Sequence, residues 1–169
     1  MIVFRRHSLE LVLAFFFVAA GCIQTVSAGN EGTPKLTLEG ANGENHCSLD
    51  FTTSVRSFKG NAYCKNDSAI KLEVEHAPSA SNILVFDDYS CDRTDPGNYF
   101  WFYLRTVKEN FSTAQPIDLD TIAHTENGGV VAPGLKLISK YQRGSYTFAK
   151  RASCVKIEVD APLLPDSGP

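Results

Sequence analysis

The chain has 169 residues, 43% of them hydrophobic and 21% charged, and a formal net charge of −3. That length suits one domain with a buried core, and the acidic balance excludes a nucleic-acid surface built on bulk positive charge.

In chain order, residues 1–28 read as a secretory signal segment. Arg5 and Arg6 precede an apolar run from Leu11 to Ala20, and Val26-Ser27-Ala28 supplies small residues before a cut. The run is about half the roughly 20 residues that a membrane-spanning helix needs, so an exported, soluble product is expected. Ala19-Ala20-Gly21-Cys22 offers a second reading as a lipoprotein box, with Ala19 where leucine is usual. Removing residues 1–28 takes away two arginines and one glutamate. The remaining 14 basic and 18 acidic residues give −4. Residues 29–34 are Gly- and charge-rich without an apolar period and read as flexible. Residues 35–161 read as one β-rich domain, and residues 162–169, with three prolines, as a disordered tail.

Within the domain the dominant period is two. Leu36 and Leu38, Leu72 and Val74, and Val155, Ile157 and Val159 alternate with polar residues as half-buried strands do. Leu49 to Val55, Phe58 to Cys64, Asn82 to Phe86, Tyr99 to Val107 and Leu135 to Tyr141 are rich in aromatic or β-branched residues and complete eight expected strands. One short helix is expected over Ile117–Thr125. Pro116 precedes it, Asp118 and Asp120 favour its positive end, and Asn127-Gly128-Gly129 stops it. The fold class is therefore mainly β: a single-domain antiparallel sandwich or barrel with one short helix.

With Cys22 in the signal segment, Cys47, Cys64, Cys91 and Cys154 remain, an even number that implies two disulfides in an exported domain. Three pairings are open. Cys47 with Cys154, joining the ends, and Cys64 with Cys91 is the one expected. Each bridge would contribute about 2 to 4 kcal/mol. No Cys-x-x-Cys pair is present, so no metal site and no cofactor are expected. Asn66 and Asn110 head Asn-x-Ser sequons and would be glycan acceptors in a eukaryotic host.

The strongest local feature is Asn98-Tyr-Phe-Trp-Phe-Tyr-Leu-Arg105. Period two sends Phe100, Phe102 and Leu104 to the core and Tyr99, Trp101, Tyr103 and Arg105 to the other face. That second face reads as an aromatic surface able to anchor a protein partner or stack on sugar rings, or as one covered by another layer. Beside it, Asp87 to Gly97 holds Asp87, Asp88, Asp92 and Asp95. Its spacing matches no EF-hand loop, and Asp, Pro and Gly are turn residues, so a polar loop pinned by Cys91 is expected rather than a calcium site. Lys136, Lys140, Arg143, Lys150 and Arg151 could form a local basic patch but read as a solvated face.

Catalysis has less support. A secreted ribonuclease would want a histidine, a second acid or base and a cation, and His76 with Glu73 or Glu75 and Arg105 is one such set on paper. His46 adjoins Cys47, His124 closes the helix, and no Gly-x-Ser-x-Gly or His-Glu-x-x-His occurs.

The combination of export signal, four cysteines, small size and β-rich body resembles the secreted effector proteins of plant-colonising fungi. The resemblance implies action on a host, by binding and redirecting a host protein outside the cell or after uptake, with a role in virulence. The leading expectation is a non-enzymatic protein binder using Tyr99, Trp101, Tyr103, Arg105, Asp88, Asp92 and Asp95. A carbohydrate-binding module would need two or more coplanar exposed rings instead, and a hydrolase or ribonuclease a histidine in reach of a carboxylate.

Overall fold

The computed structural model describes residues 32–61 and 64–160, without the side chains of Asn45 and His46. The expected signal segment 1–28 and tail 162–169 lie outside the described residues.

Two antiparallel sheets face each other. The smaller contains β1 (Lys35–Glu39), β2 (Asn45–Asp50), β4 (Lys71–Glu75) and β7 (Ile117–Asp118), in the order β2-β1-β4-β7. The larger contains β3 (Ser54–Ser57), β5 (Asn82–Phe86), β6 (Phe100–Thr106), β8 (Val130–Ala132), β9 (Leu135–Gln142) and β10 (Cys154–Glu158), in the order β3-β10-β5-β6-β9-β8. Alternation decides what each face does. Leu36, Leu38, Leu72 and Val74 from the smaller sheet meet Ile83, Val85, Phe100, Phe102, Leu104, Val155 and Ile157 from the larger one in a single core. Phe148, from the connection after β9, stacks on Phe100 and Phe102 with ring centroids 4.4 and 5.4 Å away and seals that core.

Most strands fall where alternation and residue type place them; β8 lies where none was expected, and three further departures have physical causes. The run Leu49–Val55 divides into the end of β2, a bend, and the start of β3. Phe58 to Cys64 is no strand in its described residues: Gly60 adopts φ +67°, and Phe58 and Cys64 anchor an irregular turn to the core. The helix, α1 (Leu119–His124), is shorter than Ile117–Thr125 because Ile117 and Asp118 pair with Leu72 and Lys71 as β7. Strand pairing overrides local helical preference there.

The disulfides correct the expected pairing. Cys47 joins Cys64, and Cys91 joins Cys154, with Cα–Cα distances of 4.4 and 5.6 Å. Cys47 points from β2 into the core, whereas Cys154 belongs to the outer face of β10, on the far side of the larger sheet. A Cys47–Cys154 bridge would have to cross that sheet. Among the described residues no helix is long and apolar enough to cross a membrane.

Candidate binding surface

The outer face of the larger sheet is ordered in three cross-strand rows, because antiparallel partners share a face. Cys154, Phe86 and Trp101 form the first row, Lys156, Leu84 and Tyr103 the second, and Glu158, Asn82 and Arg105 the third. The first row is covered by the β5–β6 connection, residues 87–99. Cys91 in that connection is bonded to Cys154, and the Arg93 guanidinium lies 5.5 Å from the Trp101 ring centroid. Trp101 is 3% exposed and Tyr103 0%, in a second apolar cluster with Leu84, Phe86 and Cys154. Of the two readings of this face, a covered layer or an open aromatic surface, the covered one holds at Trp101 and Tyr103. Of the three rings expected on it, Tyr99 is exposed.

The third row is a polar clasp. The Tyr103 hydroxyl and Arg105 Nη1 donate to Asn82 Oδ1 at 2.9 and 2.7 Å, and Asn82 Nδ2 donates to Glu158 Oε2 at 3.1 Å. Lys156 Nζ pairs with Glu158 Oε1 at 2.8 Å. Burial pushes the Glu158 carboxyl up, but the Lys156 ammonium and the Asn82 amide outweigh it and hold the carboxyl below its ordinary range. Arg105 therefore supports Tyr103 and Asn82.

The carboxylates of the β5–β6 connection are spent on its own backbone. Asp88 Oδ1 accepts the Ser90 N–H at 2.7 Å, Asp92 Oδ1 the Thr94 N–H and hydroxyl at 2.9 Å each, and Asp95 Oδ1 the Gly97 N–H at 2.7 Å. The Thr94 N–H and hydroxyl hold the Asp92 carboxyl below its usual range. Asn98 Nδ2 donates to the carbonyls of Asp92 and Asp95 and closes the loop. These are Asx turns, each carboxylate facing a neighbour two residues on. Among the described residues no group of three or more His, Cys, Asp or Glu could hold a metal ion.

Tyr99 lies just before β6, and its position is fixed twice. Its N–H donates to Asp87, and its carbonyl accepts the Arg143 N–H at 2.7 Å. Its ring sits 4.7 Å from that of Tyr146, with the planes at 53°. The Arg143 guanidinium lies 4.7 Å from the Tyr99 centroid and donates through Nη2 to the Pro96 carbonyl at 2.7 Å, while Arg151 lies 4.8 Å from the Tyr146 centroid. The Tyr141 hydroxyl, bonded to Arg143, raises that guanidinium's pKa further. A cleft of about 190 Å³ continues the surface along Asn66, Asp67, Asp87, Tyr89, Tyr99, Arg151 and Ser153, and Lys59 Nζ lies 5.8 Å from the Tyr89 centroid. Tyr89, Tyr99 and Tyr146 are 40, 37 and 37% exposed.

Sequence reasoning reached Tyr99 but not Tyr89 or Tyr146. It placed Arg143 and Arg151 in a solvated basic patch with Lys140, whose ammonium instead reaches the Ala123 carbonyl at the end of α1. The signal that could have found the surface is a tyrosine between two arginines in one connection, Arg143-Gly-Ser-Tyr146 to Arg151.

Neither His76 nor His124 gives its Nδ1 to a carboxylate, although His124 shares a groove with Asp118 and Asp120. His76 Nδ1 donates to Asn110 Oδ1 at 3.0 Å, and its ring fills the space where a Gly32 side chain would stand. His124 Nδ1 donates to the Asp120 carbonyl at 2.6 Å, beside a shallow groove of about 720 Å³ that Asp118 and Thr121 also line. The His46 side chain lies outside the described residues. No protein-family model matches the chain, and neither the curated proteins nor the solved structures contain a match to it.

Proposed function

We propose that this is an exported, non-enzymatic binding protein that engages a host protein, in the manner of an effector, through a surface centred on Tyr99. One observation carries the reading: three exposed tyrosines lie at one end of a stapled β scaffold, and each has a cation over its ring. Tyrosine and arginine supply large contact area with few rotatable bonds lost, which is why they dominate the energetic centres of protein interfaces. The Asx-turned loop from Asp87 to Gly97 supports the same role by holding that end rigid, which lowers the ordering cost of association. A sugar platform is disfavoured by the 53° tilt between Tyr99 and Tyr146 and by the guanidinium over each ring.

The test is a pull-down from host-type extract with the oxidised protein and a Tyr99→Ala, Tyr146→Ala variant whose circular dichroism matches it. A protein retained by the wild type and lost by the variant is the expected result. Equal capture by both would remove Tyr99 from the surface, and retention on insoluble polysaccharide alone would replace the protein partner with a carbohydrate.

A further inference from the structure

We infer that the partner segment received by this surface is acidic, its carboxylates entering between Arg143 and Arg151. This inference rests on the binding surface proposed above and names the chemistry of what it takes. The chain is net acidic, at −3, yet Lys59, Arg143 and Arg151 gather on three neighbouring rings. None of the three forms an ion pair with a carboxylate among the described residues.

Asp67 and Asp87, which line the cleft with Arg151, are engaged in hydrogen bonds within the chain. Asp87 gives both carboxylate oxygens to the N–H of Tyr99 and one of them to Phe100, and Asp67 Oδ2 accepts from Asn66 Nδ2 at 2.6 Å. An arginine carries five N–H donors in a fixed fork. Arg143 uses one side of its fork on the Pro96 carbonyl and meets the Tyr141 hydroxyl, whereas the Arg151 guanidinium has the Tyr146 ring as its contact. The rings hold the two forks in place without neutralising them, and the phenol hydroxyls of exposed Tyr99 and Tyr146 add donors beside them. Such a donor-rich surface accepts carboxylates in bidentate, charge-assisted pairs. Because each ring carries a guanidinium over it and the two rings are tilted by 53°, the surface suits an extended acidic peptide better than the flat face of a uronic-acid sugar.

The test measures fluorescence anisotropy of a labelled peptide of alternating glutamate and serine, against its glutamine counterpart and against polygalacturonate as competitor. The oxidised wild type should bind the glutamate peptide at least about tenfold more tightly than the glutamine one, and this preference should shrink as salt is raised. Arg151→Glu should abolish binding, and Arg143→Lys, which keeps the charge but loses the fork, should weaken it several-fold. Equal affinity for both peptides, or unchanged binding by Arg151→Glu, would overturn the acidic partner. So would tighter binding of polygalacturonate than of the peptide. Loss of peptide binding alongside persistent Tyr99-dependent protein capture would overturn this inference and leave the binding surface standing. Loss of both would remove the surface as well.

Discussion

The Asp87 carboxylate holds the N–H of Tyr99 from both of its oxygens, at 2.8 and 2.9 Å, and so fixes the residue at the centre of the exposed surface from the far side of the β5–β6 connection. The same group accepts the Phe100 N–H at 3.2 Å, at the first residue of β6. Asp87→Ala leaves both backbone donors without their acceptor. The expected cost is about 1 to 3 kcal/mol in urea unfolding. Asp87→Asn retains an acceptor oxygen and should lose less. An alanine variant as stable as the wild type would show that water replaces the carboxylate without penalty.

Trp101 and Tyr146 separate framework from surface. Trp101→Ala empties a buried site and is expected to cost about 3 to 5 kcal/mol, whereas Tyr146→Ala, at an exposed ring, should stay within about 0.5 kcal/mol. Denaturation of the two variants side by side checks this. A stability loss in Tyr146→Ala that equals the Trp101→Ala loss would mean that the Tyr99–Tyr146 pair supports the fold rather than decorating it.

Some strands were legible because a half-buried strand writes its two environments into alternate residues, as in Lys35–Glu39 and Lys71–Glu75, and others, such as Asn82–Phe86, buried on both faces, through their run of β-branched and aromatic residues. The candidate site was less legible. Tyr99, Trp101 and Tyr103 alternate to one face as read, but sequence periodicity does not say that Cys91 will fold back onto Cys154 and cover two of them. The disulfide pairing was hidden for the same reason, since it depends on which side of the larger sheet Cys154 faces. The exposed partners of Tyr99 come from distant connections, at Lys59, Tyr89 and Arg143 to Arg151, and no local pattern joins them.

The Cys91–Cys154 bridge spans 63 residues, so its removal should destabilise by about 4 kcal/mol on chain-entropy grounds. Trp101 is the one tryptophan of the chain and reports on the loop directly. In a Cys91→Ser, Cys154→Ala variant under folding conditions, acrylamide should quench its fluorescence more strongly than in the wild type. Unchanged quenching would mean that the Asx turns and Arg93 hold the cover without the staple.

Glu158 sets part of the acid limit of stability. Its folded carboxyl lies below the ordinary 4.5, so the stabilisation is present above that value and is lost as pH falls through the lower folded one. Glu158→Gln should flatten that part of the stability curve below pH 4.5 and leave the rest of the profile in place. A variant curve parallel to the wild type throughout would show that Lys156 and Asn82 do not favour the charged form.

The two sequons differ in access. The Asn66 amide donates to Asp67 at 2.6 Å and its Oδ1 is buried, whereas Asn110 is exposed and uses its Oδ1 on His76. Expression in a eukaryotic secretory host should place a glycan on Asn110 and leave Asn66 bare, as read by peptide mass mapping. A glycan on Asn66 alone would reverse this order.

Each exposed ring and cation of the candidate surface lies in a connection between strands, and no strand contributes one. Connections tolerate exchange that strands do not. The two sheets, the three outer rows and the staple therefore form a chassis whose cargo of recognition residues can be rewritten independently. Within the segment from Arg143 to Arg151, exchanging Ser145 and Tyr146 would change what the protein meets, while Gly144 at φ +61°, Thr147 on Asp120 and Phe148 in the core keep the connection in its path.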